Sequence, residues 1–367
     1  MQRGKAGYSR RRITAWPALV FLFLVRCSNP EGRNAVDWTD NITVRESKML
    51  IDESEHLLLV PYYLQIQNGK YFFLAEANGT FVGKYELATG RLLGAVQVDT
   101  LKQLDEWMAS QSRFTGAAGA FPAVCGISCN ERGECHVAFF KDYLVAHDSM
   151  NYTAPLAFIM DVSHTMNGPV YLVKHPDFSP WNAIPDSWAG IDGGFFCLGD
   201  SLYVNNSQEG ANPETDLILK YIRDNGQWRF AGKLPVKAAE SWSERKEYPY
   251  ILLEFYGHDN RVFVSDGRMV YNVTEHRPVF SETNLYPREI IITFSVYNGF
   301  LYLLTAQKAG EGFDYRVRIM HLEVNSISEP LPFTPDSEIY TYAFYKNTLY
   351  FVTKGENVWL NTREYEF

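Results

Sequence analysis

The densest group of reactive side chains in this 367-residue sequence is "CGISCNERGEC", which holds Cys125, Cys129 and Cys135, with His136 directly after it. Three thiols and an imidazole are a zinc ligand set, and in an oxidising compartment they are disulfide formers. The turn-forming "NERG" sets Cys129 and Cys135 opposite each other across a hairpin. A disulfide there is the expectation, and no metal is assigned. Cys125 with Cys197 is a candidate second bridge, although spacing alone leaves connectivity open.

A second group lies in "HPDFSPWNAIPDSWAGIDGG" (175 to 194), with Trp181, Trp188, Asp177, Asp186 and Asp192. Indole faces stack on the C–H surfaces of sugars and carboxylates accept from hydroxyls, so these five residues form a candidate glycan site. The two indoles could equally bury between packed sheets. Paired carboxylates also serve as acid and base on a glycosidic bond. The sequence has no GxSxG elbow, HExxH helix, GxxxxGK loop or GxGxxG turn, so no catalytic residue and no cofactor is assigned. Histidines beside an acid, in "HD" at 147, "HPD" at 175 and "HD" at 258, read as solvated turn residues.

The fifth cysteine, Cys27, follows a basic start (Arg3, Lys5, Arg10, Arg11, Arg12) and an apolar stretch from Ala15 to Val25. Positive n-region plus short h-region is a secretory signal; a bilayer-spanning helix needs roughly 20 apolar residues. Leu24-Val25-Arg26-Cys27 resembles the lipobox of bacterial lipoproteins, with Arg26 where that family has a small residue. The odd cysteine count points the same way, because a lipidated Cys27 leaves four to pair. Residues 1–26 are therefore read as a signal peptide, 27–41 as a polar tether and 42–367 as one domain.

Composition narrows the partners. The net charge of −9 is wrong for a phosphate backbone, which needs clustered Lys and Arg, so a nucleic-acid partner is excluded. Hydrophobic residues make up 46% and aromatic residues 15%, enough for a large core, and the aromatic share favours strands.

Those strands repeat. "NGKYFFLAE" (68 to 76), "GDSLYVNN", "DNRVFVSD", "NGFLYLLT" and "KNTLYFVT" each join a polar turn to a strand. An aromatic stands four places after the first turn residue in every one: Phe72, Tyr203, Phe263, Tyr302 and Tyr350. "KDYLVAHD" (141 to 148) is read as a sixth copy, preceded by the inner strand "HVAFF". A short helix is expected over Asp99 to Gln111, "GAAGAF" (116 to 121) as a linker, and "NNSQEGANPET" (205 to 215) and "AQKAGEGFD" (306 to 314) as long loops.

Strand units of fixed order with variable loops are the signature of a propeller. The expected fold is all-β, a six-bladed β-propeller of four-stranded antiparallel blades, closed by an N-terminal strand from 42–59 that pairs with the last blade. Together with Cys27 and "YELATGR"-like turns, this organisation resembles bacterial envelope lipoproteins with TolB-like six-bladed propellers. That resemblance implies an exported, lipid-anchored protein in the bacterial envelope, facing the periplasm or outer membrane. Two functions stay open: a binding or scaffold propeller for a glycan or an envelope protein, and a carbohydrate-active enzyme using loop carboxylates.

Overall fold

The structure, a computed structural model, describes residues 42–52, 61–76, 79–109, 114–117, 123–147, 150–173, 194–206, 217–236, 253–310 and 312–367. Strand β1 (Thr43–Leu50) stands apart from the sheet that follows it. Blade 1 is β2 (Pro61–Gln67), β3 (Tyr71–Glu76), β4 (Phe81–Glu86) and β5 (Leu92–Gln97). A helix, α1 (Lys102–Ala109), and strand β6 (Phe114–Ala117) lead to blade 2: β7 (Ala123–Cys129), β8 (Cys135–His147), β9 (Met150–Asp161) and β10 (Val170–Val173). Blade 3 is β11 (Phe195–Leu198), β12 (Ser201–Asn205), β13 (Ile218–Asp224) and β14 (Gln227–Leu234). Blade 4 is β15 (Glu254–His258), β16 (Arg261–Ser265), β17 (Val270–Asn272) and β18 (Arg277–Phe280). In blade 5, β19 (Glu289–Tyr297), β20 (Phe300–Ala309) and β21 (Gly312–His321) are followed by two short strands on the β21 edge, β22 (Ser326–Ile327) and β23 (Leu331–Phe333).

Blade 6 is β24 (Ile339–Tyr345), β25 (Thr348–Lys354) and β26 (Val358–Glu366), and its fourth strand is β1. The two chain ends pair antiparallel, from Thr43 opposite Glu366 to Leu50 opposite Trp359. This removes an open sheet edge that would otherwise invite pairing with another chain. The innermost strands β2, β7, β11, β15, β19 and β24 contact one another in ring order, β24 against β2 included.

Turn chemistry explains the hairpins. Asn68-Gly69, Asn298-Gly299 and Asp259-Asn260 take positive φ at both central positions, the backbone that a tight two-residue hairpin demands and that Asn, Asp and Gly tolerate best. The recurring aromatics then fall on the second strand of each blade. Phe72, Phe263, Tyr302 and Tyr350 are buried; Tyr203 is half-buried against the cluster between blades 3 and 4. Five of the six interfaces have their own apolar cluster among the described residues. Phe73, Val137 and Phe139 join blades 1 and 2, and Leu64, Phe72 and Val352 join blades 1 and 6. Leu101, just before α1, and Leu104 within it cap the first of these; burying a side chain of this size contributes roughly 2 kcal/mol.

Three expectations need correction. Lys141 and Asp142 are not a turn: they sit inside β8, opposite Leu156 and Pro155. The chain reverses instead at "NERG", where Gly133 takes φ +84°, and β7 replaces "HVAFF" as the innermost strand. Within "AQKAGEGFD", 306–309 and 312–314 are strand, since the β20–β21 ladder continues to Ala309 opposite Gly312. The start of "GAAGAF" belongs to β6, which pairs with the far half of β8.

Candidate functional site

Each innermost strand is hydrogen-bonded on one side only, so its other edge turns unpaired N–H and C=O groups toward the propeller axis. Such groups require partners. Inside this ring lies a space of about 350 Å³, mouth included, to which all six innermost strands contribute: Gln65, Ser128, Phe196, Glu254, Thr293 and Phe344 are one residue from each. Only about 30 Å³ of it is enclosed room, space for a water or two, and the remainder includes open solvent at the mouth.

Glu254 is the ionisable side chain that stands out there. It opens β15, and Thr293 Oγ1 of β19 donates to its Oε1 at 2.5 Å. Burial pushes its carboxyl up to about 7, with the Thr293 hydrogen bond the smaller, opposing influence. Glu289, on the next innermost strand, shows the contrast. Burial acts against its charge too, but hydrogen bonds from Arg318 and Thr305 and from the Tyr286 N–H outweigh it and hold the carboxyl below its usual value. Among the described residues Glu254 has no such cation. Tyr342 of β24 stands near Glu254: burial and then the Glu254 charge raise its phenol, with Tyr315 and Tyr62 acting more weakly. Glu254 thus lies beside the Thr293 hydroxyl and near the Tyr342 phenol.

The opposite end is built differently. β15 runs from Glu254 to His258, about 13 Å along the strand, and His258 adjoins the turn to β16. There the hairpin between β7 and β8 crosses several blades. Cys129 and Cys135 face each other in register and are joined by a disulfide. Between them, Glu131 Oε1 meets His258 Nδ1 of blade 4 at 2.8 Å, and Arg132 Nη2 donates to Asn260 Oδ1 of the same blade. Asn130 donates to the Cys197 carbonyl of blade 3 at 3.0 Å, and Gln67 of blade 1 donates to the Gly133 carbonyl at 2.5 Å. One clamped loop therefore ties blades 1, 3 and 4 to blade 2. Asp259 Oδ2 lies 3.4 Å from His258 Nε2, so two carboxylates flank one ring through opposite nitrogens. The hydrogen bond that the His258 ring donates to Glu131 is the largest cause of the raised His258 value, ahead of the opposing desolvation.

Of the residues singled out in the sequence, Cys27, Asp177, Trp181, Asp186, Trp188 and Asp192 lie outside the described residues. Cys129 and Cys135 form the clamp just described. Cys125 on β7 and Cys197 on β11 are both buried in the cluster between blades 2 and 3, as thiols and not as a second bridge. His258 is not a solvated turn residue; it is held by Glu131 from 127 positions away. Glu254 was legible in one respect, as a lone acid inside the apolar run "ILLEFYG". Its partner Thr293 lies 39 positions on, and nothing local in the sequence links them.

No protein-family model matches the chain, and no curated protein matches it significantly. Among solved structures it is similar to the PQQ-bound aldose sugar dehydrogenase of Streptomyces coelicolor, at 14% identity and TM-score 0.43 over 88% of this chain and 99% of that one. A Bacteroides thetaiotaomicron protein of unknown function aligns at 8% identity and TM-score 0.45, over 89% of this chain and 76% of its own. A Bacteroides fragilis protein described as exported aligns at 8% identity and TM-score 0.47, over 88% and 96%. At these values nothing about ligand or activity transfers.

Proposed function

We propose that this chain is an exported propeller, anchored to a bacterial envelope membrane by a lipid on Cys27, that binds a glycan in the mouth of its central channel. The single observation that carries the binding half is Glu254: an acid held by Thr293 on the rim of a small space framed by free strand edges. Hydroxyl-rich ligands match such a lining, because every sugar hydroxyl both donates and accepts. The segment with Trp181 and Trp188 ends at Gly194, directly before β11, whose Phe195 and Phe196 line the same space. That connectivity supports one site built from both.

The anchor rests on the basic n-region, the short apolar stretch and the lipobox-like "LVRC". With Cys129 and Cys135 bonded and Cys125 and Cys197 in the core, Cys27 is the cysteine left for modification. Among the described residues no helix is long and apolar enough to cross a membrane. Mass spectrometry of the mature N-terminus tests this half: an acylated Cys27 supports it, and a start at Ser28 or later overturns it.

A second reading, a carbohydrate-active enzyme, draws on the same acid. A carboxyl with a value of about 7 suits a general acid at neutral pH. The domain from Ser28, incubated with envelope polysaccharides, separates the two: retention without released sugar supports binding, and released sugar supports the enzyme. Retention unchanged by Trp181→Ala with Trp188→Ala would remove those indoles from the site. A stable protein partner on pull-down, with no glycan retained, would replace the ligand by an envelope protein.

A further inference from the structure

We infer that the ligand of the channel carries a protonated amine and that Glu254 is the group that receives it. The inference rests on the reading of the channel as a glycan site and names the class of glycan: one with a free amino group.

Two acids on neighbouring innermost strands carry the inference, Glu289 buried and Glu254 half-buried. Glu289 is fully buried and fully answered: Arg318 Nη2 and Nε donate to its two oxygens at 2.7 and 3.1 Å, and Thr305 adds a third hydrogen bond at 2.5 Å. A structural carboxylate in this fold is thus matched by a guanidinium. Glu254 is half-buried and receives one hydroxyl, from Thr293, with no Lys, Arg or His pairing with it among the described residues. Unlike Glu289, it faces the channel space. A carboxylate kept in a poorly solvated place is costly unless a cation meets it, and here the position a cation would take opens onto the cavity.

The rest of the lining points to the same ligand. Ser128 and Gln65 side chains and the strand-edge carbonyls offer acceptors, and an ammonium group brings three donors and no acceptor. A carboxylate ligand would meet Glu254 as a like charge. The net charge of −9 adds a field that draws cations and repels anions.

Amines reach such a site on a sugar or as free amines, and the test separates these sources. Titration calorimetry on the domain from Ser28 compares a glucosamine tetramer, its fully N-acetylated counterpart and 1,4-diaminobutane, each with wild type and Glu254→Gln. The expected result is at least tenfold tighter binding of the glucosamine tetramer than of the acetylated one, with the preference lost in Glu254→Gln. Equal affinity for the two tetramers overturns the amine inference and leaves the glycan reading standing. Binding of neither tetramer, with Glu254-dependent binding of the diamine, keeps the amine and overturns the glycan. Absence of all three at millimolar concentration overturns both. The wild-type comparison decides the matter even if Glu254→Gln fails to fold.

Discussion

Glu131, inside the disulfide loop of blade 2, lies 2.8 Å from His258 Nδ1 in blade 4. The contact skips a whole blade, and with its neighbours it closes the hairpin end of the propeller over the channel.

The contact is pH-dependent with a definite sign. His258 is raised in the folded state, so its stabilisation is fully present below the unfolded value near 6.5 and is lost as pH rises through the raised value. Thermal melts of wild type and Glu131→Gln across pH 6 to 9 check this. The variant is expected to melt lower than wild type at pH 6, with the gap closing toward pH 9. A gap independent of pH would contradict the ion pair.

The Cys129–Cys135 clamp should matter locally and moderately. Closing a loop this short contributes about 2 kcal/mol in the chain-entropy estimate. The Cys129→Ser, Cys135→Ser double variant is expected to lose about that much, with hydrogen exchange accelerated at residues 129 to 135 and little changed in blades 5 and 6. Protection unchanged at Gly133 would mean that the cross-blade hydrogen bonds hold the loop without the disulfide.

Glu254 should weaken the fold where it ionises. Its folded value of about 7 lies above the ordinary 4.5, so stability is greatest below pH 4.5 on its account and falls as pH rises through 7, by on the order of 3 kcal/mol at full ionisation. Glu254→Gln is neutral at every pH and keeps a partner for Thr293. The variant is expected to be more stable than wild type at pH 8 and nearly equal at pH 5, read from urea unfolding. Greater stability of wild type at pH 8 would show that a cation answers Glu254 within the protein.

Closure of the ring gives a prediction about the whole domain. β1 supplies the outer edge of blade 6 along eight residue pairs. Removing residues 42 to 52 exposes the β26 edge and is expected to abolish cooperative unfolding and soluble expression. A shortened protein that stayed soluble with one sharp transition would refute that role.

The blade count could be read from the sequence because it rests on local signals, and the closing strand because the last unit has room for only three strands. Asn-Gly and Asp-Asn turns fix hairpins within a few residues, and Phe72 and its counterparts repeat at a fixed distance from them. Blade 2 was misread where local chemistry was ambiguous: Lys141-Asp142 has the residue types of a turn, but pairing with Leu156 and Pro155 keeps it in strand. The site was harder. Glu254 was passed over, its one local signal being an acid in an apolar run, and Thr293, Tyr342 and the Glu131–His258 contact depend on packing between strands distant in the chain. The same holds for Cys125 and Cys197, which parity alone paired and packing keeps as buried thiols.

The most direct measurement of the central claim is a crystal structure of the domain from Ser28 with a retained oligosaccharide. Binding in the channel predicts sugar density among Gln65, Thr293 and Phe344, with a ligand donor within hydrogen-bond distance of Glu254. Density confined to the outer surface of the blades, with the channel closed to the sugar, would contradict it.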